Sequence, residues 1–189
     1  MDFVLSATLL LCCLPLMAAI GALIRIFEGR PVFFRQVRPG LYMNDMTVLK
    51  FRTMRVGAEH LEDEILDLVK EPNVQRENDD RVTRIGKILR RLSLDELPQL
   101  LLVLRGQMSL VGPRPLIKAE VNRLPPKYLS RYEVLPGITG LAQVSGRGKL
   151  SVWDILNLDL EWVENYSLGL YLKILFKTLM TIFKIREAF

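Results

Sequence analysis

The sequence predicts a mainly α-helical protein with one small β-hairpin and an apolar helix at each end. Half of the 189 residues are hydrophobic although 25% are charged, so apolar character is gathered into segments rather than spread evenly. No charged residue occurs from Phe3 to Ile24, and two short runs rich in Val, Phe and Thr lie close together after it. A chain of this length supports one continuous domain with its own core.

The uncharged stretch is about as long as a helix needs to cross the bilayer hydrocarbon. It lacks a basic region before it and a small-residue cleavage site after it, unlike a signal peptide. Pro15 lies near its middle, removes one ladder hydrogen bond and predicts a kink. The charges that follow, Arg25, Arg30, Arg35, Arg38, Lys50, Arg52 and Arg55, place the C-terminal side in the cytoplasm whether the segment spans or turns back. Residues 1–27 are thus a membrane-inserted helix, 28–167 a cytoplasmic domain and 168–189 a C-terminal segment, all in one continuous unit.

Pro31 to Gln36 and Met46 to Phe51, separated by Arg38-Pro39-Gly40 and Asn44-Asp45, read as a β-hairpin with a long loop. Helical patterns follow over residues 57–70, about 82–92 and about 95–104, with a polar break at Glu71-Pro72-Asn73. Gly112-Pro113-Arg114-Pro115, Pro125-Pro126 and Pro136-Gly137 mark loops. Near the C-terminus Lys173, Lys177, Thr181 and Lys184 form one polar stripe, and Leu170, Ile174, Phe176, Leu179 and Phe183 occupy the other faces. Such a helix suits the plane of the membrane interface.

Composition narrows the chemistry. Cys12 and Cys13 sit together in the apolar run as small hydrophobes, and His60 is the only histidine, which leaves little for a zinc site or a serine–histidine triad. Catalysis here rests on carboxylates, arginines and a hard cation. The net charge of +5 suits lipid headgroups, nucleotide phosphates or nucleic acid. Nucleic acid is disfavoured, because two membrane segments go unexplained and few aromatics stand among the basic residues to stack on bases.

The informative stretch is Arg90-Arg91-Leu92-Ser93-Leu94-Asp95-Glu96-Leu97-Pro98-Gln99. Ser93 and Glu96 fit a capping box, whereas Pro98 favours a later start with Asp95 as the cap. Either way Asp95 stands at a helix start, where the dipole and free amides favour an ionised carboxylate and attract phosphate. An ionised aspartate is a nucleophile towards phosphorus. Arg90, Arg91 and Arg114 offer planar forks for phosphate oxygens. On spacing alone, a plain capping role stays open.

The strings Pro31-Val-Phe-Phe-Arg-Gln36, Lys50-Phe-Arg-Thr-Met54, Arg81-Val-Thr-Arg-Ile-Gly86, Ser93-Leu-Asp-Glu-Leu-Pro-Gln99, Met108-Ser-Leu-Val-Gly-Pro-Arg-Pro115 and Pro136-Gly-Ile-Thr-Gly-Leu-Ala-Gln143 together resemble the bacterial sugar transferase family of small monotopic phosphoglycosyl transferases. The resemblance implies that a sugar phosphate passes from a nucleoside diphosphate sugar, a UDP-sugar, to polyprenol (undecaprenyl) phosphate. Asp95 would attack to give a covalent aspartyl phosphosugar and release UMP, with Glu96 as its catalytic partner. It implies Arg90, Arg114 and Arg147 around phosphate, and Mg2+ held at Asp95. It also implies an initial helix that is re-entrant and bent near Pro15, and attachment to the cytoplasmic face of the bacterial inner membrane. There such enzymes begin polysaccharide and exopolysaccharide assembly. Partners are then the nucleotide sugar, polyprenol phosphate and membrane lipids, with no nucleic acid; a homodimer stays open. Gln107, Leu141 and Ser145 depart from the family's usual acidic residue, Trp and Asn. The alternative is a non-catalytic membrane-surface scaffold of a glycan assembly pathway, which gives Asp95 no use.

Overall fold

The computed structural model describes residues 1–58, 79–146 and 150–183. The helical run expected over 57–70 therefore falls, from residue 59 onward, outside the described residues. So do His60, the break at 71–73, Arg147 and Lys184.

Helix α1 (Asp2–Phe27) contains Pro15 within one continuous helical segment. Ser6, Ile20 and Ile24 are buried along a narrow seam; Met17 packs with Ile20 and Ile24, and Leu5 and Leu10 pack against the main core. The rest of the surface stays apolar and exposed, including Phe3, Leu11, Leu14, Leu23 and Phe27. It is long and apolar enough to cross a membrane. Both ends nevertheless touch the remainder of the protein. Tyr171 Oη donates to Asp2 Oδ1 at one end, and Ile20 and Ile24 pack with Phe51 and Leu89 near the other. Arg52 closes the C-terminal end by donating to the carbonyls of Glu28 at 2.7 Å and Arg30 at 2.8 Å.

Strands β1 (Phe33–Pro39) and β2 (Asp45–Phe51) form the expected antiparallel hairpin, in register from Phe33 opposite Phe51 to Pro39 opposite Asp45. Its loop is shorter than the sequence suggested, because β1 continues through Pro39. Proline is tolerated there at the strand end, where no ladder donor is needed. Met46 and Val48 of β2 face the core in alternation.

Helix α2 (Arg84–Arg91) is started by Thr83, whose Oγ1 accepts from the Gly86 amide at 2.9 Å. A Cβ at Gly86 would lie 2.1 Å from the Thr53 carbonyl oxygen, so glycine lets α2 close on the backbone just after β2. The segment expected as a helix over 95–104 is a 3₁₀ turn, Leu94–Gln99, followed by the short helix α3 (Leu100–Leu104).

Strand β3 (Ser109–Val111) pairs in parallel with β4 (Gly137–Thr139), an element the sequence reading did not anticipate. Helix α4 (Lys118–Val121) and a 3₁₀ turn, Pro126–Tyr132, lie between them. Helix α5 (Leu141–Gly146) precedes α6 (Val152–Glu164), whose start is a reciprocal cap between Ser151 and Asp154. In α7 (Leu168–Phe183), Tyr171 and Ile174 are buried whereas Leu168, Leu172, Phe176 and Leu179 are exposed. One edge of α7 thus joins the core and a second apolar face remains outside, with Lys173 and Lys177 exposed as the stripe predicted. The main core gathers Val48, Leu100, Val103, Met108, Val111, Trp162 and Ile174.

Candidate active site

Ser93 lies in the left-handed region at φ 56 and turns the chain sharply after α2. The sequence left Ser93 or Asp95 as the cap of an α-helix; the observed element is instead a 3₁₀ turn that begins right after Ser93. Pro98 and Gln99 are buried beneath the turn, which fixes the directions of Asp95 and Glu96. Asp95 is 8% exposed.

Glu96 does not reach back as a capping-box residue. Its Oε1 accepts from Lys50 Nζ at 2.7 Å and from Arg114 Nη1 at 3.1 Å. Lys50 comes from β2 and Arg114 from the loop after β3, so one carboxylate ties three distant segments together. Arg90, at the end of α2, donates Nε to Thr53 Oγ1 at 2.8 Å and lies near enough to Asp95 and Arg114 to feel their charges.

The two carboxyls are driven apart electrostatically. Burial alone would raise Glu96, but the cations of Lys50 and Arg114 and their hydrogen bonds outweigh it and hold the group down at about 2. Asp95 moves the other way: burial pushes it up, the Glu96 charge adds to this, and Lys50, Arg90 and Arg114 only partly oppose it. The expectation that a helix start would favour the ionised form is therefore corrected. The six-residue turn does not prevail over burial beside an anion. Burial lowers Lys50, with Glu96 opposing, and the charge of Glu96 raises Arg114.

Asp95, Glu96, Arg90 and Arg114 are thus brought together as expected, while Arg147 lies outside the described residues. Lys50 was missed. It stands in the run of positive charges that marks the cytoplasmic side, and only the strand pairing turns it inward. Among the described residues no cluster of three or more His, Cys, Asp and Glu side chains is arranged for a metal ion. Lys50 and Arg114 both bond the same Glu96 oxygen, Oε1.

The sequence pattern of the bacterial sugar transferase family matches residues 1–185. The chain belongs to the bacterial sugar transferase family. It is 43% identical over 171 residues to the uncharacterized sugar transferase EpsL of Bacillus subtilis, covering 90% of this chain and 79% of that protein. It is 39% identical to the exopolysaccharide production protein ExoY of Rhizobium meliloti, covering 94% and 81%. It is also 39% identical to the UDP-glucose:undecaprenyl-phosphate glucose-1-phosphate transferase of Caulobacter vibrioides, covering 100% and 70%. The bacterial sugar transferase described here spans only 39% of the longer Escherichia coli enzyme of that same activity. It is a transferase, as its family relatives are.

Proposed function

We propose that the protein transfers glucose 1-phosphate, or a closely similar sugar phosphate, from UDP-sugar to undecaprenyl phosphate. Relatives that carry this activity in their names support the reaction class. The observation that carries the mechanism is Asp95 beside a Glu96 already committed to Lys50 and Arg114. Glu96 is tethered by both cations through Oε1, whereas none of the hydrogen bonds among the described residues engages an Asp95 oxygen.

In the first step an Asp95 carboxylate oxygen forms a bond to the sugar-bearing phosphorus, and the bridging P–O bond to UMP breaks. In the second, a phosphate oxygen of undecaprenyl phosphate attacks the same phosphorus, and the Asp95–phosphorus bond breaks to restore the carboxylate. Arg90 and Arg114 bind and orient phosphate oxygens. Glu96 holds Lys50 and Arg114 in place beside the nucleophile. Asp95 would hold Mg2+, an ion that keeps waters and takes one carboxylate together with substrate phosphates. When bound, the ion would supply charge that favours ionised Asp95 and offsets charge on the phosphates.

Substrate access sets the topology. Both ends of α1 contact the same folded body, and the exposed faces of α1 and α7 are apolar. These features support an α1 that enters one leaflet and returns near Pro15, with α7 in the interface. The site then lies on the cytoplasmic face of the inner membrane, where UDP-sugar and undecaprenyl phosphate meet, and the reaction begins a glycan assembly pathway.

The test is a panel of nucleotide sugars incubated with the purified protein, Mg2+ and undecaprenyl phosphate, scored for nucleoside monophosphate. Release of UMP with formation of the lipid-linked sugar is expected for a UDP-sugar. Absence of release across the panel would overturn the assignment.

A further inference from the structure

The loop that presents Arg114 is held by two other arginines through its backbone. Arg131, in the 3₁₀ turn Pro126–Tyr132, is 2% exposed. Its Nη2 donates to the Arg114 carbonyl at 2.7 Å and to Asp159 Oδ2 at 2.6 Å. Asp159, on α6, is 1% exposed. Arg38, at the end of β1, donates Nη1 to the next carbonyl, that of Pro115, while its Nε and Nη2 rest on Gln36 Oε1 at 3.0 and 2.7 Å. Consecutive carbonyls of one loop are therefore each held by a guanidinium.

The sequence stiffens the same loop, since Pro113 and Pro115 flank Arg114 and restrict its backbone to extended conformations. The side chain of Arg114 then has one short path to Glu96. An ion pair buried as fully as Arg131–Asp159 is a weak source of stability, because desolvating both charges offsets their attraction and apolar residues would fill the space as well. Here, however, the same Nη2 that meets Asp159 also bonds the Arg114 carbonyl. That arrangement aims the loop rather than merely filling a core.

We propose that Arg131 and Asp159 are positioning residues: Asp159 orients the Arg131 guanidinium onto the Arg114 carbonyl, and this sets Arg114 against Glu96. Neither touches the reacting atoms. The inference rests on the reading that Glu96 and Arg114 belong to the transferase site.

A mutant cycle tests it on the full chain in detergent micelles, with kcat and KM for UMP release and a thermal unfolding curve for each protein. The paired substitution Arg131→Met with Asp159→Leu removes both charges, so no lone buried charge remains. It is compared with Arg114→Ala and with the triple variant. The pair variant should unfold cooperatively like the parent and lose about ten- to a hundred-fold in kcat, the effect of one misplaced charged hydrogen bond. The triple variant should be no slower than Arg114→Ala, because residues acting through one another are not additive. A triple variant slower by the full additional factor, or a pair variant with parental kcat, overturns the positioning role. If the pair variant does not fold, Arg131→Lys takes its place in the cycle; it keeps the ion pair but loses the fork. A parent that releases no UMP from any nucleotide sugar overturns the transferase reading and this inference with it. A working parent with additive losses overturns this inference alone.

Discussion

Arg114→Ala should cost the enzyme far more in rate than in stability. The guanidinium contributes one bond to Glu96, Nη1 to Oε1 at 3.1 Å, and its side chain is 31% exposed. Glu96 keeps Lys50 at 2.7 Å after the change, so no buried carboxylate is stranded, and the loss of folding free energy is about 1–2 kcal/mol. For a chain of this size that lowers the unfolding midpoint by about 2–4 °C per kcal/mol. In the proposed reaction Arg114 would face phosphate, where a hydrogen bond between charged groups is worth about 1.5–3 kcal/mol, or ten- to a hundred-fold in rate. UMP release measured beside thermal unfolding separates the two effects, and Arg114→Lys, with charge but no fork, should fall between. Parental kcat/KM in Arg114→Ala, or a loss that matches the unfolded fraction, would refute the reasoning.

Four further outcomes follow from the structure. Glu96→Gln removes one of the charges that push Asp95 up and leaves Lys50 and Arg114 acting on it, so the acid limb of kcat/KM should move to lower pH; an unmoved or raised limb contradicts this. Because Glu96 is held at about 2 against an ordinary 4.5, the stability it gains is present above about pH 4.5. The advantage of the parent over Glu96→Gln in chemical denaturation should then fade as pH falls through that window. Gly86→Ala places a Cβ 2.1 Å from the Thr53 carbonyl oxygen, an overlap with backbone that no rotamer relieves; destabilisation by about 1–3 kcal/mol is expected in thermal unfolding. With Cys12 and Cys13 replaced by alanine, Phe3→Cys should resist an impermeant thiol reagent in intact cells and react after permeabilisation, and labelling from outside would contradict the re-entrant topology.

The sequence showed what local pattern controls and hid what tertiary contact controls. The hairpin was legible because two short runs rich in Val, Phe and Thr flank the turn residues Arg38-Pro39-Gly40 and Asn44-Asp45. The Asp95–Glu96 pair was legible through its string of neighbours, yet its electrostatics were not. A helix start favours an ionised carboxylate, whereas the observed environment is a buried turn in which Glu96 holds Lys50 and Arg114. Lys50 escaped notice because a lysine among arginines after an apolar helix reads as a marker of the cytoplasmic side, and only the register of β2 brings it to Glu96. The parallel pair β3 and β4 is three residues a side, too short for periodicity. It depends on glycines: a Cβ at Gly137 would lie 2.1 Å from the Gly112 nitrogen. Proline and glycine there read as loop punctuation, although they permit two backbones to meet. Arg131 and Asp159 lie 28 residues apart in no recognisable motif, and their pairing appears only when the 3₁₀ turn packs on α6.

The measurement that bears most directly on the mechanism is covalent capture at Asp95. The protein is incubated with UDP-sugar labelled in the sugar and Mg2+, without polyprenol phosphate, then quenched and mapped by peptide mass spectrometry. The parent should carry one sugar phosphate on Asp95 and release one UMP per site before any lipid is added. Asp95→Asn, which keeps the shape but lacks the charged oxygen, should fold, carry no label and not turn over. Label on another residue, UMP release that waits for the lipid acceptor, or near-parental turnover in Asp95→Asn would contradict the account.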